Sequence, residues 1–139
     1  MTDLDRAKQI FQADGASFVL VHDGHELARG TRDGIGELLA TVDQLGAQTH
    51  GASLADKIVG KAVAMVAVYA GLAGVYSPLA STAGQQVLAE HQIMLQAERL
   101  VPLILNKRND GPCPMERLTL PLAQPEEAVA ALKEFVGHK

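Results

Sequence analysis

The chain has 139 residues and a net charge of −4; 47% of its residues are hydrophobic, 20% charged and 4% aromatic. This length fits one domain, residues 1–139, and the apolar content is too high for a chain that stays disordered. A mildly acidic chain without Trp offers neither a Lys/Arg stripe nor an aromatic stacking platform, so we expect no nucleic-acid partner.

The sequence favours a cytoplasmic chain. A single cysteine, Cys113, forbids an internal disulfide and points to a reducing compartment. The first residues, MTDLDRAKQIF, include acids and lack the continuous apolar stretch of a signal peptide. The apolar run over 58–80 is interrupted by Lys61, three glycines and Pro78, so we expect no membrane span.

The first predicted elements are a helix and a hairpin. Apolar residues at Leu4, Ala7, Ile10 and Phe11 predict a helix over 4–13, which Asp14-Gly15 ends. The stretches SFVLV and HELARGT predict two strands, and the Asp-Gly pair between them suits the left-handed backbone angles of a two-residue turn.

Two helices are predicted next. The first covers 35–45 and ends at Gly46. The second covers LADKIVGKAVAMVAVYA and ends at Gly71, with Ser53 and Asp56 in the spacing of a capping box. It is almost entirely apolar, so we expect it to be buried on most sides.

The second half of the chain alternates strands and helices. LAGVYS and IMLQAE are predicted strands, and between them Ser81 or Thr82 caps a helix that runs through His91. An irregular stretch, VPLILNKRNDGPCPMERLTL, then precedes a last helix from Pro125 to about Val136. This order predicts an α/β fold, a three-layer α/β/α sandwich whose mixed sheet has an N-terminal hairpin and parallel later strands. Residues 1–15 form its N-terminal helix and 16–136 its core.

Three segments carry a resemblance to a known family: GASLADKIVGKAVAMVAVYAG, VYSPLASTAGQQVLAEH and ILNKRNDGPCPMERL. With its DKxxGKA and CPME signatures, the chain resembles an uncharacterised prokaryotic family, classed as a domain of unknown function, that has a cytidine-deaminase-like fold. The resemblance covers roughly residues 16–136 and implies no established activity.

The wider deaminase superfamily implies a sharper expectation. SPLASTAGQQVLAEH is similar to the deaminase helix that opens with Pro-Cys-x-x-Cys, whose cysteine positions fall on Ser81 and Gly84. The His-x-Glu or Cys-x-Glu motif would fall near 56–61, where no His or Cys stands. Because catalytic zinc in this site needs three His or Cys ligands, we expect neither zinc nor hydrolytic deamination.

Cys113 lies between Pro112 and Pro114 and has two interpretations. It is either a nucleophile or redox sensor activated by Lys107 and Arg108, or an inert thiol in a rigid turn. The spacing assigns it no Cys or His partner, which favours the inert thiol.

Lys57 and Lys61 are four residues apart, so on one helix they would be neighbours near its N-terminus, where a phosphate or carboxylate is favoured. Alternatively, Lys57 is solvated and Lys61 extends past an apolar face to solvent. Asp56 is interpreted as a helix cap rather than as an acid or base. Gly60, between the lysines, permits close approach of a ligand or backbone.

Several polar residues are candidates to line a cleft at the carboxyl ends of the strands, where open α/β sheets bind ligands. They are Ser77, Ser81, Asn106, Arg108 and Glu116, although strand-end and capping roles explain each serine alone. His22 and His25 flank the hairpin turn, and two histidines without a third ligand favour solvent-exposed residues over a metal site. No phosphate-loop or GxSxG motif is present.

The sequence supports three hypotheses. In the first, a deaminase-like domain without zinc or another cofactor binds a small anionic or nucleotide-like molecule. The expected site residues are Asp56, Lys57, Lys61, Ser77, Ser81, Asn106, Arg108, Cys113 and Glu116. In the second, the chain is an enzyme of unassigned reaction that uses Cys113, with Lys61 or Arg108 stabilising an anion. In the third, it is a homodimeric interaction module without a small ligand.

Overall fold

The computed structural model describes residues 1–137. The helices are α1 (Asp3–Asp14), α2 (Gly36–Leu45), α3 (Lys61–Ala70), α4 (Thr82–Glu90), α5 (Pro114–Thr119) and α6 (Pro125–Gly137). The strands are β1 (Phe18–His22), β2 (His25–Gly30), β3 (Ser53–Asp56), β4 (Ile58–Val59), β5 (Gly74–Ser81) and β6 (Met94–Val101). A short 3₁₀ turn, Gly46–Thr49, follows α2.

The six strands form one mixed sheet. β1 pairs antiparallel with β2 and β3, and β5 pairs parallel with β3, β4 and β6. β3 and β4 pair with successive parts of β5, with the first part at Gly74–Tyr76 and the second at Leu79–Ala80. β5 is therefore the central strand, and β2 and β6 lie at the edges. The predicted hairpin and the predicted parallel later strands are confirmed.

Helices cover both faces of the sheet. On one face, Leu4, Ala7 and Phe11 of α1 pack against side chains of β1, β3 and β5, including the buried Tyr76. On the other face, α2, α3, α4 and α6 enclose the larger core around Phe18, Leu54 and Val75. No helix of residues 1–137 is long and apolar enough to cross a membrane.

Local capping chemistry sets several element ends where the sequence predicts them. Thr2 and Asp5 form a capping box at the start of α1, and Gly15 ends that helix in the left-handed conformation. Asp23 and Gly24 also have positive φ angles, of 50° and 79°, as the hairpin turn requires. α2 begins at Gly36, one residue after the predicted start.

The predicted long helix over 54–70 is wrong over residues 54–60. β3 and β4 occupy Ser53–Asp56 and Ile58–Val59, and α3 begins only at Lys61. Leu54 is buried in one core and Ala55 in the other, so β3 is apolar on both faces, as a central strand is. A short apolar run of this kind has no periodicity that separates a strand from a helix. The predicted capping box of Ser53 and Asp56 therefore does not exist.

Two other boundaries differ from the prediction. β5 extends four residues beyond LAGVYS, to Ser81, and β6 extends to Val101. The stretch predicted as irregular contains the short helix α5, which begins at Pro114 directly after Cys113. Proline at the first helical position has no N–H that would need a partner, which favours a helix start there.

Candidate functional site

Helices α3 and α4 begin side by side at the carboxyl ends of β4 and β5. An added Cβ at Gly84 would lie 2.9 Å from the carbonyl oxygens of Val59 and Gly60. Because Cβ atoms essentially never approach backbone this closely, only glycine fits at this point of α4. The first turns of the two helices are thus in direct backbone contact.

A carboxylate from α5 caps α3. Glu116 Oε1 accepts the backbone N–H of Lys61 at 2.7 Å, and Glu116 Oε2 accepts the N–H of Ile104 at 2.8 Å. The Glu116 side chain is buried, and the partial positive charge at the N-terminus of α3 stabilises its negative charge. The glutamate of the CPME segment therefore joins α5, α3 and the stretch after β6.

Three more predicted site residues have partners within the protein. Lys61 Nζ donates to the carbonyl oxygen of Leu120, at the C-terminal end of α5, at 2.8 Å. Ser81 Oγ accepts the N–H of Gly84 at 3.1 Å and so caps α4, as predicted. Ser77 Oγ donates to the carbonyl oxygen of Leu79 at 2.8 Å. Each of these side chains has a structural role that accounts for its position.

The meeting point of α3 and α4 does not fit a zinc ion. The sequence resemblance places the two cysteines of the deaminase motif at Ser81 and Gly84, and neither residue offers a thiolate. The backbone of Val59 and Gly60 fills the space that a side chain at position 84 would need, and Glu116 occupies the first turn of α3. Zinc requires three or four converging side-chain donors, which this arrangement does not provide.

Asp56 lies at the carboxyl end of β3, opposite Phe18 of β1 and next to the position of Ser77 on β5. The residue is half-buried, and burial raises the pKa of Asp56 to about 7. The backbone N–H groups of Ile58 and Lys57 and the Lys57 ammonium partly oppose this rise. A carboxyl with this pKa is protonated in part of the molecules at neutral pH.

Charged side chains lie near the carboxyl end of β3. Lys57 Nζ lies 3.0 Å from Asp33 Oδ1, which belongs to the loop between β2 and α2. The hydrogen bond from Lys57, and then the charges of Lys57 and Lys107, lower the pKa of Asp33. We call Asp33, Asp56, Lys57 and Lys107 the strand-end site.

Two features of this arrangement differ from the sequence-based prediction. Lys57 and Lys61 are not neighbours on one helix face, because Lys57 precedes β4 and is exposed. The sequence did not indicate Asp33, and it indicated Lys107 only as a neighbour of Cys113, because the two residues come from separate loops. Only the Asp-Gly pair at 33–34 and the run of basic residues at 107–108 mark these loops in the sequence.

The remaining predicted residues lie in the loop between β6 and α5. The Cys113 N–H donates to the Ile104 carbonyl oxygen at 2.8 Å, so the two ends of this loop are joined. Asn106 Oδ1 accepts the N–H groups of Arg108 and Asp110, which shapes the exposed tip. Arg108 is exposed at that tip, and Cys113 is half-buried at the start of α5.

The predicted residues thus fall into three groups. Lys61, Ser81 and Glu116 lie around the first turns of α3 and α4, Asp56 and Lys57 lie at the end of β3, and Asn106, Arg108 and Cys113 lie in the loop between β6 and α5. Ser77 lies within β5. There are two shallow grooves: one beside α3 and α4, with Lys61, Gln86 and His91 in its lining, and one beside the 3₁₀ turn, with His50 and Tyr69.

Comparison with known proteins identifies the family but no activity. A crystal structure of a DUF1893 family protein (TM1506) from Thermotoga maritima superposes with a TM-score of 0.86 at 21% sequence identity. The match covers 100% of this chain and 92% of that chain, and it shows a shared fold. No curated protein matches the chain. A family model described as "Domain of unknown function (DUF1893)" matches residues 6–136, and the chain therefore belongs to the DUF1893 family.

Proposed function

We propose that this protein is a non-hydrolytic domain of cytidine-deaminase-like fold that binds a small anionic, nucleotide-like molecule at the strand-end site. The observation that carries the proposal is the position of a half-buried carboxyl, Asp56, beside Lys57, whose ammonium group pairs with Asp33 at the end of one interior strand.

The deaminase-like part of the proposal is supported by the positions at which α3 and α4 begin. The resemblance assigns the zinc-binding motifs to the first turns of two helices, and α3 and α4 begin in contact with each other. In this chain, Glu116 and the Gly60–Gly84 contact occupy that region. A ligand would therefore bind beside the former metal position, without a metal-activated water.

The anionic part of the proposal is supported by the charge distribution. Lys57 and Lys107 both act on Asp33, a fully exposed carboxylate that a ligand phosphate can displace from Lys57. An exposed ion pair of this kind contributes little to stability, so a ligand can replace Asp33 as the partner of Lys57. Arg108, next to Lys107, is also exposed.

The nucleotide-like part of the proposal is supported by Asp56. A carboxyl that is protonated in part of the molecules donates as well as accepts hydrogen bonds, which suits a ring edge with adjacent donor and acceptor atoms. The strand end is also where ligands of open α/β sheets bind.

Thermal unfolding in the presence of single compounds tests the proposal. The panel holds nucleoside monophosphates, their nucleosides and inorganic phosphate, because a specific ligand raises Tm by mass action. We expect at least one monophosphate to raise Tm more than its nucleoside does. Lys57→Gln and Asp56→Ala should abolish this rise, whereas the control Lys133→Gln, which breaks the similar Lys133–Asp43 pair at 2.8 Å, should not.

Two results would contradict the proposal. One is a panel in which no compound changes the Tm of the wild-type protein. The other is a rise in Tm that Lys133→Gln weakens as much as Lys57→Gln, since that would indicate a nonspecific charge effect.

A homodimeric interaction module is the second candidate function, and one observation favours it. Met94 and Leu100 on the edge strand β6 are 66% and 43% exposed, and Leu105 after this strand is 48% exposed. Exposed apolar side chains near an unpaired strand edge suit association with a second copy. Light scattering would show a dimer in wild type and a monomer in Leu100→Lys if this candidate is correct.

A further inference from the structure

Three potential metal ligands converge at the turn between β1 and β2. Asp3 is the first residue of α1, His22 is the last residue of β1, and Asp23 lies in the turn. One ligand atom from each of them lies within 4.8 Å of the others, and the structure, over residues 1–137, brings no other set of His, Cys, Asp and Glu together in this way. We propose that Asp3, His22 and Asp23 bind one divalent transition-metal ion.

This cluster is separate from the strand-end site. β1 and β3 are antiparallel, with Phe18 opposite Asp56 and Val21 opposite Ser53, so His22 lies at the other end of the sheet. The four-residue offset along β1 corresponds to about 14 Å. The proposal therefore does not depend on the proposed function.

The turn holds the Asp3 carboxylate in a fixed orientation. Asp3 Oδ2 accepts the N–H of Asp23 at 2.8 Å, and Asp3 Oδ1 accepts the N–H of Gly24 at 2.9 Å. A carboxylate has about four lone-pair directions, so both oxygens can still accept a further partner. Hydrogen bonds that orient a ligand in this way increase the affinity of metal sites.

The His22 ring is also held in place, and one of its nitrogens lacks a partner. An added Cβ at Gly51 would lie 3.2 Å from His22 Cε1, so the ring packs directly on this glycine. His22 Nδ1 is buried and has no hydrogen bond. A buried polar atom without a partner is unfavourable, and a bound ion would relieve this cost.

The distances suit an ion at this point. His22 Nδ1 lies 3.9 Å from Asp3 Oδ2, which is too long for a hydrogen bond. With bonds of about 2.1 Å and a tetrahedral angle, these two atoms would need to approach by only about 0.5 Å. Asp23 Oδ2 lies 3.5 Å from the other ring nitrogen, Nε2, so for an ion at Nδ1 the exposed Asp23 side chain would have to turn toward Asp3. Asp23 is exposed, which leaves room for water as a further ligand.

The charge of the cluster identifies the class of ion. Within the described part of the chain, no Lys or Arg forms an ion pair with Asp3 or Asp23, so a divalent cation would neutralise two neighbouring carboxylates. One imidazole and two carboxylates suit Zn²⁺, Mn²⁺ or Co²⁺, whereas Mg²⁺ and Ca²⁺ prefer oxygen ligands alone.

Isothermal titration calorimetry of the full chain without a histidine tag tests the proposal, with ZnCl₂, CoCl₂ and MgCl₂ as titrants. The variants are His22→Gln and Asp23→Asn, because Asn tolerates the φ of 50° at position 23. The matched control is His25→Gln, which changes the exposed histidine on the other side of the turn. In the cobalt complex, visible absorption reports coordination directly.

We expect one Zn²⁺ or Co²⁺ per wild-type or His25→Gln chain, binding at least about tenfold weaker in both site variants, and no binding of Mg²⁺. Absence of Zn²⁺ and Co²⁺ binding to wild type would overturn the proposal. Equal weakening by His25→Gln and His22→Gln would also overturn it, because this would indicate an ion held loosely by surface histidines. If His22→Gln does not fold, the exposed Asp23→Asn variant decides.

Discussion

Glu116 accepts the backbone N–H of Lys61 at 2.7 Å, although the two residues are 55 positions apart in the chain. The side chain of Lys61 in turn donates to the carbonyl oxygen of Leu120, so two hydrogen bonds join α3 to the α5 segment. This relationship unites the two most distinctive segments of the sequence, DKIVGKA and CPMER, and gives both a structural role.

The first prediction concerns this buried carboxylate. Glu116→Gln replaces one accepting oxygen with an N–H₂ group that faces a backbone donor, so we expect a loss of about 1.5–3 kcal/mol in the free energy of unfolding. Urea unfolding followed by circular dichroism measures the effect. Glu98→Gln on the exposed edge strand β6 serves as the control and should change stability by less than about 0.5 kcal/mol. Equal stability of the two variants would contradict the capping role.

The second prediction concerns the contact between α3 and α4. Gly84→Ala would place a Cβ 2.9 Å from backbone oxygens of Val59 and Gly60, so the helices must separate. Alanine normally stabilises a helix by about 0.5–1 kcal/mol relative to glycine, but here we expect a net destabilisation of about 1–3 kcal/mol. Gly137→Ala, where the new Cβ meets open space, is the control. A Gly84→Ala protein that melts above wild type would refute the contact.

The same contact should prevent a zinc site from being created here by ligand replacement alone. The double variant Ser81→Cys, Gly84→Cys supplies cysteines at the two positions that the resemblance indicates, yet the Cβ at position 84 still meets the backbone of Gly60. We expect it to be less stable than wild type and to bind no additional zinc, as measured by metal analysis after dialysis. A folded double variant with one more zinc per chain than wild type would show that the space exists.

Local chemistry made much of the fold predictable. The Asp23-Gly24 turn, the Ser81 cap and the proline start of α6 depend on residues within a few positions, so the sequence predicts them correctly. β3 and β4 were not predictable in this way, because their identity as strands depends on pairing with β5, some 20 residues later. The Gly60–Gly84 and Lys61–Glu116 contacts are likewise tertiary, so Lys61 and Glu116, each considered alone, suggested a ligand site.

The third prediction concerns Cys113. The thiol is half-buried at the start of α5, between two prolines, and the adjacent N–H is engaged with Ile104. We expect a thiol reagent to label folded wild type more slowly than the urea-unfolded chain at every pH from 6 to 9. Faster labelling in the folded state would support a Cys113-dependent enzyme instead. Cys113→Ser should also leave any nucleotide-induced rise in Tm unchanged.

The last prediction concerns the pH dependence of stability through Asp56. Burial raises its pKa to about 7 in the folded protein, whereas an unfolded chain has a value near 3.8. Between these values the folded state binds more protons than the unfolded state, so stability falls as pH rises from about 4 to about 7. The full shift corresponds to roughly 4 kcal/mol. Asp56→Asn removes this titration, so urea unfolding should find the variant more stable than wild type at pH 8 and the difference smaller at pH 5. If the free energy of unfolding changes with pH in the same way in both proteins, the folded state does not raise the pKa of Asp56.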